Sequence, residues 1–389
     1  MAGLFKKIEI ASLKTPHSTG DRFLKITSLT TQILRMPISN PAVTATITFN
    51  DVWFLLVELR TDDGAIGHAY IWSYNAHISR CLKEMVGELS RHAIGSDPRH
   101  SAKIWSAMWK GTVQWAHAGI TIMASAVIDM AVWDLAGKIA NQSVGQLLGL
   151  RIENVPTYAS QGLWITDDLD ALQREAASYV KMGFLAMKMR AGRKKVEEDI
   201  AAVRAVREAI GPQVGLMVDF GSSPLLEKAE RMAAGMEEFN LLWIEDPCGD
   251  EDPADHAELA LKIRTPVCFG EKVYAPQGFA RIIAQRAADH LMADLQRAGG
   301  VTGWLRIAAL ADAARLPLSS HILPEFNVHL VASAPTGAWL EYMPWADTLL
   351  ENSPVMVDGG IRVPDRPGFG LQFNADYVKQ VLQETQTFS

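Results

Sequence analysis

Cysteine is scarce in this chain: Cys81, Cys248 and Cys268 are the only three among 389 residues. An odd, widely spaced trio offers neither a disulfide framework nor the close pairs of a zinc or redox motif. Reduced thiols in the cytoplasm are the expectation. Basic charge is also short, with 37 Lys and Arg against 44 Asp and Glu and a net charge of −7. No basic run interleaves with aromatics, so a nucleic-acid partner is not expected. No apolar run approaches the ~20 residues of a membrane span, so no membrane partner is expected either. The N-terminus has no apolar core or small-residue cleavage site. Residues 1–24 are expected to form a flexible leader.

What is present is ordinary material for a large core, 48% hydrophobic and 21% charged. Residues 25–75 look like a β-meander, with a hairpin turn at Asp62-Asp63-Gly64. Residues 76–150 read as helical. The clearest helix is TIMASAVIDMAVWDLAGKIA, with apolar positions recurring at three and four and Gly149 as its expected stop. From residue 155 the texture changes. Eight short apolar strands, VPTYAS to AWLEYM, alternate with helical stretches. The fold class expected is α/β: a (β/α) barrel of the TIM type over residues 151–345, preceded by an α+β capping domain over 25–150. The Pro/Gly-rich segment 346–389 is expected to return to the cap.

The strand LLWIEDP shows where the chemistry lies. It is apolar without alternation, as a strand buried on both faces should be, yet it ends in Glu245 and Asp246. A buried carboxylate is costly unless a cation meets it. The other strands end alike, in Lys188 and Arg190, Asp219, Glu271, Asp294, His321 and Glu341. Each lies about one strand–helix unit from the last, so all should converge on the C-terminal rim, where barrel enzymes place their chemistry. Asp219, Glu245 and Glu271 are hard oxygen donors on consecutive strands. With no Cys or His among them they favour Mg²⁺, with Mn²⁺ possible, over zinc or copper. Asp246 is expected to cap a helix or to support the site from behind.

Asp294 beside His321 would set its tautomer and raise its pKa, suiting it to general acid or base work. His329 is expected to be structural. Lys188 and Arg190 are two apart, so they share one face. Glu341 is expected to be protonated among so many acids and to donate a hydrogen bond. A divalent ion, a Lys, a His–Asp pair and a neutral acid together suit abstraction of the proton α to a carboxylate, which forms a dianionic enediolate.

WDLAGK, MKMR, MVDF, WIEDP, GEK, AGGVTGW, SSH and WLE, taken together, resemble the enolase superfamily and, within it, the mandelate racemase subgroup. The resemblance spans nearly the whole chain. It implies that Asp219, Glu245 and Glu271 bind Mg²⁺, that Asp294 and His321 form the acid/base dyad, and that Lys188 contacts the substrate carboxylate. It implies that Glu341 hydrogen-bonds the enediolate, that Ser160 touches substrate, and that residues 36–47 form a mobile lid. It further implies a small carboxylic acid as substrate and a homo-oligomer.

The chain departs from the family pattern twice. Arg190 stands where the family has a second Lys; an arginine stays protonated and is a poor base. Gly221 stands where many relatives have Asn. With one credible base, the first reading is a Mg²⁺-dependent dehydratase of a sugar acid, with Arg190 holding substrate or stabilising the leaving group. The alternatives are a racemase, epimerase or lactone cycloisomerase, and a metal-bearing barrel that binds an acid without turnover.

Overall fold

The computed structural model describes residues 23–389 except 46, 223–224 and 250–252. The expected leader therefore lies outside the described residues, but for Phe23 and Leu24. Two sheets organise the chain. The cap sheet runs β14 (Leu382–Phe388), β1 (Ile26–Val43), β2 (Thr48–Thr61), β3 (Ile66–Ser73), all antiparallel. The hairpin at Asp62–Gly64 joins β2 to β3, and the last strand of the chain closes the far edge against β1.

The helix Gly119–Ala140 lies between the cap sheet and the rest of the protein. It differs from expectation in two respects. It is apolar and buried on nearly every side rather than along one stripe, and it ends at Asn141, in the left-handed region. Gly149 instead ends a separate short helix, Val144–Leu148. Among the described residues this helix is also the one long and apolar enough to cross a membrane, contrary to the expectation that no such run exists. Its surroundings explain the composition: most of it is buried within the protein.

Its polar residues serve packing. Asp134 accepts the amides of His68 and Phe369, at 2.8 Å each, and pairs with Lys138 at 2.7 Å. WDLAGK thus ties cap, helix and C-terminal segment together. Asp129 accepts from the Thr302 amide and hydroxyl at 2.8 and 2.7 Å, which binds the AGGVTGW turn to the same helix.

The second sheet is the barrel. Its parallel strands are β4 (Asn154–Ala159), β5 (Ala186–Arg190), β6 (Gly215–Asp219), β7 (Trp243–Glu245), β8 (Val267–Phe269), β9 (His290–Asp294), β10 (Leu318–His321) and β11 (Leu340–Tyr342). β11 pairs with β4, and the Ser320 amide donates to the Trp339 carbonyl at 3.1 Å, so the sheet curls into a modified barrel. β12 (Met356–Val357) and β13 (Gly360–Arg362) add an antiparallel edge on the first half of β4.

Period-two alternation sorts the barrel interior into layers. Tyr158, Ala186, Met217, Trp243, Cys268 and Met292 form a small buried cluster of their own. Two residues further along five of those strands stand Ser160, Lys188, Asp219, Glu245 and Asp294. An apolar plug therefore floors a polar layer at the C-terminal ends.

Candidate active site

Register brings the polar residues side by side. Arg190 pairs with Asp219, Asp219 with Glu245, and His321 with Asp294. The nine residues singled out from the sequence lie within the last three positions of their strands or at most two residues past them, all at this one end of the barrel.

Lys188, only 1% exposed, sits between two acids. Its Nζ donates to Glu245 Oε1 and lies 2.9 Å from Glu341 Oε1. Burial opposes its charge, but Glu245 and Glu341 hold its pKa above the ordinary lysine value. Glu245 takes a second hydrogen bond from Trp243 Nε1 at 3.0 Å. Burial raises the Glu245 carboxyl well above the usual range; Lys188 opposes this, while Asp219, Glu271 and Glu341 add to it.

Glu341 does not fit the expectation of a protonated donor. Ser160 Oγ donates to its Oε1 at 2.6 Å and the Ile322 amide to its Oε2 at 2.7 Å. A proton on either oxygen would cost one of these bonds. Burial raises its pKa, but Lys188, His321 and Arg190 outweigh that and hold it down at about 2.

His321 Nδ1 is 2.7 Å from Asp294 Oδ2, and its Nε2 is 3.3 Å from Glu271 Oε2. With Nδ1–H directed at Asp294, the neutral ring presents its lone pair at Nε2. Burial presses the imidazolium toward neutrality, yet Glu271 and Asp294 raise the pKa to about 9. Asp294 also caps the turn Leu295–Ala298, accepting the Arg297 amide at Oδ1. Helix capping and imidazole orientation thus fall to opposite oxygens of one carboxylate.

Arg190 is held by the turn after β4. Nη1 donates to the Ser160 and Gly162 carbonyls at 2.7 and 3.0 Å, and Nη2 donates to Ser160 Oγ at 2.8 Å. The guanidinium lies 4.2 Å over the Trp164 ring, and Nε is 3.8 Å from Asp219 Oδ2. Its fork braces the turn after β4 and, through Ser160, the Glu341 carboxylate. Gly221, at φ +65°, gives its amide to Asp219 Oδ1 at 2.7 Å. Asp246 supports the site from behind: its Oδ2 accepts from Ser222 at 2.9 Å and lies 3.3 Å from Lys272. His329 is structural, buried between the Gly145 amide and the Phe369 carbonyl.

Sequence reasoning passed over Arg297 and Gln296. Arg297 Nη1 donates to the Glu271 carbonyl at 2.6 Å, and Gln296 accepts the Trp72 amide at 2.6 Å. An Arg three residues after a capping Asp was the available signal for Arg297. Nothing in the sequence announced Gln296, whose partner is a cap strand.

The donor set suits a hard divalent ion. Asp219, Glu245 and Glu271 offer oxygens on three successive strand ends, and the Glu245 carboxyl is raised first by burial and then by the neighbouring acids Asp219, Glu271 and Glu341. Among the described residues no three such groups are already gathered around one point. Each is engaged by a neighbour: Glu245 by Lys188, Glu271 by His321, Asp219 by the Gly221 amide. Each carboxylate keeps lone pairs beyond those bonds. A cavity of about 620 Å³ lies elsewhere, between Ser143–Leu150 and the segment 352–371, and holds none of these residues.

Two family models match. One, "Enolase C-terminal domain-like", covers residues 171–377; the other, the N-terminal domain of mandelate racemase / muconate lactonizing enzyme, covers 26–149. The L-talarate/galactarate dehydratase of Salmonella typhimurium is 30% identical over 93% of this chain and 91% of its own. The arabinonate dehydratase of Saccharolobus solfataricus is 30% identical over 80% of this chain and 86% of its own. The crystal structure of L-talarate dehydratase from Polaromonas sp. JS666, complexed with Mg and L-glucarate, superposes with a TM-score of 0.86 at 32% identity, over 94% of this chain and 99% of that one. On the layered barrel, its cap and these matches, the chain belongs to the mandelate racemase/muconate lactonizing enzyme family of the enolase superfamily.

Proposed function

We propose that the protein is a Mg²⁺-dependent dehydratase that converts a sugar acid to its 2-keto-3-deoxy acid. Dehydratase relatives and the Mg-bound neighbour support this, and the Asp294–His321 pair beside the three carboxylates is the observation that carries it. Asp219, Glu245 and Glu271 would hold Mg²⁺, with Mn²⁺ as a substitute. When bound, the ion supplies Lewis-acid stabilisation of charge developing on the substrate carboxylate.

The chain's own residues divide the rest. His321, held at Nδ1 by Asp294, removes the α-proton at Nε2. The C2–H electron pair first moves onto the substrate carboxylate, giving the enediolate, and then returns to form the C2=C3 bond as the C3–O bond breaks. The imidazolium returns the proton to the departing hydroxyl, releasing water, and the enol becomes the ketone. Lys188, paired with Glu245 and Glu341, holds positive charge where the substrate carboxylate gains negative charge. Glu341 accepts a hydrogen bond from a substrate hydroxyl rather than donating one. Arg190 positions Ser160 and Glu341, and its permanent charge and committed fork argue against a second base and so against racemisation. Cytoplasmic location, a homo-oligomer, and the absence of nucleic-acid and membrane partners belong to the same reading.

Incubation with aldonic and aldaric acids in D₂O with Mg²⁺ tests it. A 2-keto product and α-proton exchange are expected, and both are lost in His321→Asn. Racemisation of a 2-hydroxy acid with no keto product would overturn the dehydratase reading.

A further inference from the structure

We infer that the substrate is a monocarboxylic acid whose end remote from the reacting carboxylate is uncharged. The inference rests on the reading above and adds the class of acid.

The cap's contribution to the mouth carries almost no charge. From Met36 to Asn50 no residue is charged, and from Ile71 to Ser79 only His77 is ionisable apart from the phenol of Tyr74. Val43 and Ala45 of the first segment and Trp72 of the second meet the barrel. A Cβ on Gly192, two residues past Arg190, would lie 2.5 Å from Ala45 Cβ, and one on Gly221 would lie 3.6 Å from it. The Ile165 amide donates to the Val43 carbonyl at 3.1 Å. From the other side, the Trp72–Gln296 hydrogen bond seats the end of β3 beside Asp294.

Four rings cluster between the end of β3 and the segment after β11. Phe49 lies edge-on to Tyr74 and Trp345, at 5.5 and 5.7 Å between centroids. Trp72 meets Tyr74 and Trp345 at 4.7 and 5.1 Å. Trp345 stands four residues past Glu341. Tyr74, 41% exposed, is the most open of the four rings. Rings of this kind suit the C–H faces of a sugar chain or an apolar tail, with one hydroxyl for hydrogen bonding.

Among the described residues, the cations that meet the rim carboxylates offer a second carboxylate no free counterpart. Four cations form ion pairs with rim carboxylates, and each is engaged further. Lys188 is shared by Glu245 and Glu341, and Arg190 is committed to Ser160 and Gly162. Lys272 holds Asp246 and Ser222, and Arg297 holds Asp294 and the Glu271 carbonyl. A far-end carboxylate would shed water against aromatic faces and add to a crowd of acids. A binding site rejects an uncompensated charge far more strongly than a missing methylene.

Matched substrates that differ only at C6 test this: galactonate against galactarate, and gluconate against glucarate, with the Mg²⁺-loaded enzyme. Keto product and α-proton exchange in D₂O are both read, and an aromatic 2-hydroxy acid is included for exchange. The preferred monoacid should exceed its diacid at least 100-fold in kcat/KM. Tyr74→Arg and, separately, Phe49→Arg should narrow that ratio at least tenfold by lowering the diacid's KM. Diacid turnover equal to or above monoacid turnover overturns the inference and leaves the dehydratase reading standing. Exchange with the aromatic acid alone supports an uncharged end while defeating dehydration. No exchange with any acid overturns both.

Discussion

Raising the pH of the protein in chelator should erode its stability through His321. The imidazole has an ordinary value of 6.5 and stands at about 9 in the fold, against the pull of burial, because Glu271 and Asp294 surround it. A group raised on folding stabilises fully below its unfolded value, and the stabilisation is lost as pH climbs through the folded value. At ~1.4 kcal/mol per pKa unit, the rise is worth about 3 kcal/mol below pH 6.5 and almost nothing above pH 9. Other groups titrate over this range, so the assay is a comparison. Urea unfolding of wild type and His321→Asn would be followed from pH 6 to 9.5. The stability gap between them should shrink by about 3 kcal/mol across the window, at ~1.4 kcal/mol per pH unit. A gap constant with pH, or widening with it, would refute the electrostatic account of this histidine. Magnesium should move the decline to lower pH, because a cation drawing on Glu271 weakens its hold on the imidazolium.

Lys188→Met leaves Glu245 and Glu341 buried without their shared cation. Losing one partner of a buried ion pair costs ~3–5 kcal/mol, so urea unfolding at pH 7 should show a loss of that order. Acidification to pH 5 should restore part of it by protonating a carboxyl, and a loss indifferent to pH would count against the pairing. Gly192→Val meets both a positive φ of 126° and Ala45. Steady-state kinetics should show KM raised about tenfold or more, with a smaller fall in kcat, since the added side chain pushes the cap loop off the barrel rim. Ala45→Gly in the same chain should recover part of the KM; an unchanged KM in the single variant would remove the cap loop from substrate binding.

The strand pattern and the rim were legible in the residues because both are local. A strand's alternation settles which side chains share its inner face, and parallel strands of matched length settle that their last residues meet at one end. Asp219, Glu245, Glu271, Asp294 and His321 follow from those two rules. The long helix was misjudged because periodicity assumes one wet face, and Gly119–Ala140 has none once cap and barrel close on it.

Amino-acid order alone thus determined the alternation of strand and helix, the layer of ionisable strand ends and the want of charge in the cap's loop. Tertiary structure alone decided which group answers which. Lys188 reaches Glu245 across 57 residues and Ser160 reaches Glu341 across 181. Those meetings keep Glu341 ionised, tie Arg190 to the turn after β4, and set His321 between two acids. A side chain's charge and partner depend on what the closed barrel brings within about 3 Å of its tip, and no local pattern carries that distance.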